Sequence, residues 1–318
     1  MNILYLCNRK YFLNKMSRIR FHSIQALEKE SNLRWSGPNW PDYDNSKTVQ
    51  ENIDKLYYNE ELDLVIAYKP LEMRDFKDIY ARRCIRYNEM YDHAWTLKEI
   101  TESQANVVIC HHENDYLQYQ KMFKYFKLWD LKFHHVAHCA EKTIFKDYGL
   151  PKKYDLFLGG ATGIRSMLGQ HYPLRDRMVG ILRKMNSKYE CRIHPHPGYD
   201  LGDAHTDKYL IDFAKEINSA KIAITCSGAP KSRFGKYIEI PMSATAIAAD
   251  IPDEDQEGFR KFVIEINMGM SDEEIINKLE HYLENDSERD KLVARGLEWS
   301  QNYIHEKYAE RFLSCLEK

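Results

Sequence analysis

The segment from Ser219 to Asp250 carries the densest chemistry in the sequence. An apolar run, Lys221–Thr225, opens into the loop CSGAPKSRFG (Cys226–Gly235). A helical stretch with Tyr237, Ile238 and Glu239 follows, then a second apolar run, Ala244–Ala249. The loop combines two glycines and a proline with Lys231 and Arg233, and Lys236 follows directly. A basic loop leading into a helix start offers backbone N–H groups and positive charge to an anion. Glu239, inside the first turns of that helix, is placed to accept hydrogen bonds from sugar hydroxyls. Phosphate and ribose are the ligands this segment suggests.

The elements that must position these residues repeat along the chain. In the first half, Asn2–Cys7, Leu62–Ala67, Cys84–Tyr87, Asn106–Cys110 and Phe133–Ala137 read as short buried strands, with helices between them, among them Arg18–Glu30. Gly149 and Pro151 punctuate the text at Tyr148–Lys153, where a domain boundary is expected. The alternation then resumes with strands at Asp155–Leu158, Glu190–His194 and Phe262–Asn267 and helices at Arg175–Asn186, Tyr209–Asn218 and Asp272–Leu283. Ser271 and Glu274 form a capping box for the last of these. Trp299, Tyr303, Tyr308, Phe312 and Leu316 fall along one side of a single closing helix. The reading is α/β, with two Rossmann-like doubly wound domains, 1–149 and 150–300, and a C-terminal helix, 301–318, crossing back to the first. Such sheets bind ligands at the carboxyl ends of their strands, and two in series can face each other across a central cleft.

Composition narrows the class. A chain of 318 residues suits two domains. A net charge of −2 gives no electrostatic case for nucleic acid. No apolar run is long enough for a transmembrane segment, and MNILYLCN reads as a first strand rather than a leader. Seven scattered cysteines without a CxxC pair read as thiols in a reducing compartment, the cytoplasm or a host cytosol. Metal readings are weak. His194, His196 and His205 lack a supporting carboxylate, adjacent His111 and His112 would point to opposite faces of a strand, and the acidic triplets at Asp42–Asp44 and Asp253–Asp255 read as solvated turns. No metal site is assigned.

FLGGATG (Phe157–Gly163), YPLR (Tyr172–Arg175), HPGY (His196–Tyr199), INSAKIAIT (Ile217–Thr225) and RFGKYIEIPMSATAIAAD (Arg233–Asp250) occur in an order that resembles the C-terminal half of GT-B glycosyltransferases. The closer likeness is to the group 1, spore-maturation-like branch of bacteria and large DNA viruses. LDLVIAYKP, RYNEMYD and VICHHEND resemble the acceptor domain of the same enzymes.

The resemblance implies transfer of a sugar from a UDP-, GDP- or TDP-sugar to a hydroxyl of a glycan or other acceptor. No further cofactor is required. Glu239 matches the glutamate that holds the ribose. Retaining members carry a partner glutamate eight positions earlier, where this chain has Lys231, so inverting, metal-independent transfer is expected.

Such a reaction needs a base and a stabilised leaving diphosphate. Asp92 and Asp115, each just past a first-half strand, are the base candidates, and each could equally cap a helix. Gly160, Gly163, Arg165, Arg175, His194, Arg233, Phe234, Gly235, Lys236 and Glu239 are expected on the donor side. Asn8, Arg9 and His112 are expected on the acceptor side. Two other readings stay open: a sugar-nucleotide epimerase of the same architecture, and a non-catalytic protein binding a phosphorylated ligand. The oligomeric state is not legible.

Overall fold

The computed structural model describes residues 1–14, 21–128, 130–166, 169–196 and 206–317. Contacts divide the chain into two units. The first is built on Met1–Ala137 with the final helix from Glu306; the second takes in His138 to His196 and Asp207 to His305.

The first unit runs β1 (Asn2–Leu6), α1 (Arg9–Asn14), α2 (His22–Glu30), β2 (Asn32–Ser36), α3 (Val49–Leu56), β3 (Leu64–Ala67), β4 (Arg82–Tyr87), α4 (His93–Glu102), β5 (Val107–Cys110), α5 (Glu113–Tyr125) and β6 (Lys132–His135). Its strands form one parallel sheet in the order β2-β1-β3-β4-β5-β6. Leu64–Ala67 and Val107–Cys110 are buried at every residue, the pattern of strands covered on both faces. β2 was not expected from the sequence. NLRWS is an edge strand with a mixed burial pattern, and its polar residues hide the strand periodicity.

The second unit runs β7 (Tyr154–Gly159), a two-stranded hairpin of β8 (Arg165–Ser166) and β9 (Gly169–Gln170), α6 (Pro173–Met185), β10 (Cys191–His194), α7 (Thr206–Asn218), β11 (Ala220–Ile224), α8 (Lys236–Met242), β12 (Ala246–Ala249), α9 (Gln256–Phe259), β13 (Val263–Glu265), α10 (Asp272–Glu284) and α11 (Asp286–Ser300). The sheet is parallel, ordered β10-β7-β11-β12-β13. Leu156, Leu158, Ile222, Ile224 and Ile264 pack against Met178, Ile181 and Leu182 of α6 and Ile275, Leu279 and Leu283 of α10. The Ser271–Glu274 capping box starts α10. Residues just before β7 are tied into this unit by Asn218, whose side-chain oxygen accepts from the amides of Tyr148 and Leu150 and whose amide donates to Asp147.

The single closing helix is corrected. α11 ends at Ser300, a short 3-10 turn follows, and α12 (His305–Leu316) begins afresh. The apolar side read as one stripe serves two units. Trp299 packs on Phe259 and Phe262 with ring centroids 4.8 and 5.2 Å away. In the first unit, Tyr308 accepts a 2.8 Å hydrogen bond from Arg86 Nε and packs on Phe312.

Candidate functional site

In the second unit the strand order reverses between β7 and β11, the place where an open parallel sheet leaves a crevice at its carboxyl edge. Gly160 leaves β7 there with φ +110°. A Cβ on it would lie 2.8 Å from Lys236 Cε and 2.9 Å from Arg175 Nη1. Two cations therefore converge on one bare stretch of backbone.

Arg175, in the first turn of α6, is only 3% exposed. Its Nη1 donates to the Ala161 carbonyl at 2.8 Å, and its guanidinium lies 4.0 Å from the Tyr172 ring centroid. Its Nε has no hydrogen-bond partner. Lys236, the first residue of α8, holds its ammonium 3.5 Å from Glu239 Oε2 and 4.4 Å from the Phe213 ring centroid. Burial lowers the Lys236 pKa; Glu239 pulls it up, and Arg175 pushes it down. His196 is lowered as well, first by burial and then by Lys236, Arg175 and His194. Positive charge is thus crowded into a partly dry site, where an arriving anion would be strongly favoured.

Glu239 folds back over the start of α8: a Cβ on Gly235 would meet its Oε1 at 2.9 Å. His194 is oriented by Glu216, 2.7 Å from Nδ1, and lies 3.4 Å from the Tyr209 hydroxyl. Burial, with Glu239 and Glu216 nearby, pushes the Tyr209 phenol up to about 12. The structure therefore brings Gly160, Arg175, Lys236, Glu239 and His196 into one neighbourhood, with His194 beside it.

The other expected donor residues make contacts of their own. Arg233 is turned inward, 2% exposed, with its guanidinium 4.1 Å from the Tyr303 ring centroid and 3.7 Å from Glu254 Oε2. Phe234 is buried against His171 and Tyr172. Gly163 donates its amide to Asp176 at 2.6 Å, and Arg165 is exposed on the β8–β9 hairpin. Positions 197–205, which include most of HPGY and His205, lie outside the described residues.

The loop is held from below by residues the sequence reading overlooked. Asp250, at the end of β12, accepts from Ser227 N and Oγ, from Lys231 Nζ at 3.1 Å and from the Tyr237 hydroxyl. Glu254 accepts from the Arg233 amide at 2.8 Å. The turn Asp253–Asp255, expected to be solvated, is an anchor: Glu254 is buried and Asp255 accepts from the Trp299 indole. A carboxylate directly after the buried strand Ala246–Ala249 was the available clue.

In the first unit, Asn8 follows β1, and its side-chain oxygen accepts from Asn39 Nδ2 and Lys10 N. Arg9 starts α1, with its guanidinium 5.9 Å from the Trp40 ring centroid. Asp92 is the N-cap of α4, accepting from Trp95 N at 3.0 Å. Asp115 is 5% exposed and accepts from the Met90 amide. His112 is fully buried at the start of α5. His111 lies 2.7 Å from the Val136 carbonyl through Nδ1. Among the described residues, no three His, Cys, Asp or Glu side chains are placed to hold a metal, and no helix is long and apolar enough to cross a membrane.

No family model and no curated protein matches this sequence. Solved structures do match it. A sucrose-phosphate synthase from Thermosynechococcus elongatus aligns over 100% of this chain and 98% of its own, at 10% identity and a TM-score of 0.59. Anabaena HepE in complex with UDP aligns over 100% of both chains, at 10% identity and a TM-score of 0.58. A putative UDP-N-acetylglucosamine 2-epimerase from Listeria monocytogenes aligns over 99% of this chain and 95% of its own, at 15% identity and a TM-score of 0.53. What these likenesses establish is the fold: two parallel-sheet α/β units of the GT-B type, spanning the whole chain.

Proposed function

We propose that this protein is a glycosyltransferase that moves a sugar from a nucleotide-sugar to a hydroxyl acceptor, with one substrate assigned to each unit. The observation that carries the reading is the convergence of Arg175 and Lys236 over Gly160 at the strand-order reversal of the second unit. A buried arginine and a half-buried lysine over a glycine backbone suit a diphosphate, and the charge they supply is what a departing nucleoside diphosphate needs. Glu239, beside them, takes the ribose hydroxyls. Such chemistry is in keeping with a neighbour solved with UDP. On this reading Arg233, Phe234 and Gly235 act by shaping the loop, and Gly163 and Arg165 flank the diphosphate.

Inverting transfer is the favoured stereochemistry. Lys231 stands where retaining members of the family that this sequence resembles carry a glutamate, and it is ion-paired to Asp250. The base then comes from the first unit. Asp92 is preferred to Asp115, because Asp92 borders a pocket while Asp115 is buried against a backbone amide. Asn8 and Arg9, after β1, are assigned to the acceptor side, and buried His112 supports that side from beneath. The reading calls for no metal and places the reaction in the cytoplasm.

Calorimetric titration with UDP, GDP and TDP tests the donor site. At least one should bind, and Lys236→Ala and Glu239→Ala should each weaken it about tenfold or more, the loss of a charge-assisted contact. Equal binding by wild type and both variants would overturn the assignment. A second reading, epimerisation of the nucleotide-sugar itself, has the Listeria likeness in its favour. It predicts turnover without any acceptor.

A further inference from the structure

A pocket of about 220 Å³ opens in the first unit at the carboxyl ends of β3 and β4. Its wall is built largely from one face of α4, where Asp92, Trp95, Thr96 and Glu99 fall at helical spacing. Tyr87 and Asn88, at the end of β4, face them.

Glu99 is 5% exposed, and its Oε2 accepts a 2.7 Å hydrogen bond from the Tyr87 hydroxyl. Burying a carboxylate is costly without strong compensation, and burial raises its pKa against the opposing pull of Tyr87 and Lys69. The Asn88 side-chain oxygen is buried and has no hydrogen-bond partner. Trp95 leaves half of its surface exposed on the same wall. The cations that border the pocket are already engaged. Lys69 donates to Tyr11 and Glu72, and Arg86 donates to Tyr308 and Ser23.

We infer that this pocket binds an uncharged sugar ring, with the ring face on Trp95 and its hydroxyls donating to Glu99 and Asn88. A sugar brings many O–H donors and a C–H face, and the wall offers acceptors and an exposed indole in return. Glu89, Asp92 and Glu99 all line the pocket, so uronic acids and phosphorylated sugars are repelled. On the transferase reading above, on which this last step rests, the pocket holds the acceptor. The acceptor's terminal residue is then a neutral sugar.

Saturation-transfer NMR on the full chain tests this, using neutral methyl hexosides, methyl glucuronide and glucose 6-phosphate as probes. Neutral glycosides should bind and the two anionic probes should not. Trp95→Ala and Glu99→Gln should each weaken neutral binding about tenfold or more, while UDP binding, measured in parallel, stays unchanged. Glutamine can still accept from Tyr87, so a loss in Glu99→Gln does not report unfolding. Equal binding of neutral and anionic probes, binding that survives both substitutions, or no binding of any neutral glycoside would overturn the inference. Neutral-sugar binding without turnover of any nucleotide-sugar would leave the pocket standing and sink the transferase reading instead. Nucleotide-sugar turnover whose acceptor KM ignores both substitutions would do the reverse.

Discussion

At the scale of the residue, the second unit's site is defined by charge held where water is scarce. Lys236 and His196 both sit below their ordinary pKa values because of burial and neighbouring cations. A bound diphosphate reverses the sign of that local field and raises both, so Lys236 and His196 take up protons on binding at any pH where they are partly deprotonated beforehand. Calorimetry in two buffers of different ionisation enthalpy should show net uptake, smaller in Lys236→Ala. A buffer-independent enthalpy would contradict this.

Glu99 makes the opposite case. Its pKa is raised on folding, so its favourable contribution is complete below the ordinary glutamate range and is lost as pH rises through the raised value. Glu99→Gln should therefore melt above wild type at pH 7.5 and level with it near pH 4. Asp92 can be dissected in the same manner. As an N-cap, it should cost about 0.5–2 kcal/mol of stability when changed to alanine and almost nothing when changed to asparagine. As the base, it should cost about 10²–10⁴ in turnover in the folded asparagine variant. Asparagine at full activity would reduce Asp92 to a cap.

At the scale of the element, the loop Cys226–Gly235 is a product of its anchors. Ser227, Lys231 and Tyr237 all converge on Asp250. Asp250→Ala should strand the buried Ser227 amide and hydroxyl at about 1–3 kcal/mol each and weaken nucleotide binding indirectly, by loosening the loop. Chemical denaturation and titration of the same variant check both effects.

Much of this level was legible in the sequence. LVIA, NVVIC and FLGG are apolar runs between polar turns, and the Ser271 capping box is a local signature. What was not legible depended on tertiary contact. The edge strand Asn32–Ser36 has a mixed polar pattern. Trp299 and Tyr308 share a helical spacing yet belong to different units. Arg233 reads as a phosphate ligand from its loop, and nothing local in the sequence points to its contacts with Glu254 and Tyr303. Glu99 reads as one more exposed helical glutamate until Tyr87 closes over it. Lys236 was legible because it directly follows a glycine loop, although the pairing with Arg175 over Gly160 required the sheet order.

At the scale of the whole molecule, each unit has a parallel sheet with candidate chemistry at its carboxyl edge, and the two edges differ in kind. The second is cationic around Gly160; the first presents carboxylates and an exposed tryptophan. That division suits the proposed reaction, in which an anionic donor meets a neutral sugar acceptor, and turnover measures it directly. The purified chain should be incubated with a panel of UDP-, GDP- and TDP-sugars, with and without neutral glycoside acceptors, while nucleoside diphosphate release is followed. Release from one donor class should rise with acceptor concentration and leave a glycosylated product. Acceptor-independent conversion of the nucleotide-sugar, or no release from any donor, would contradict it.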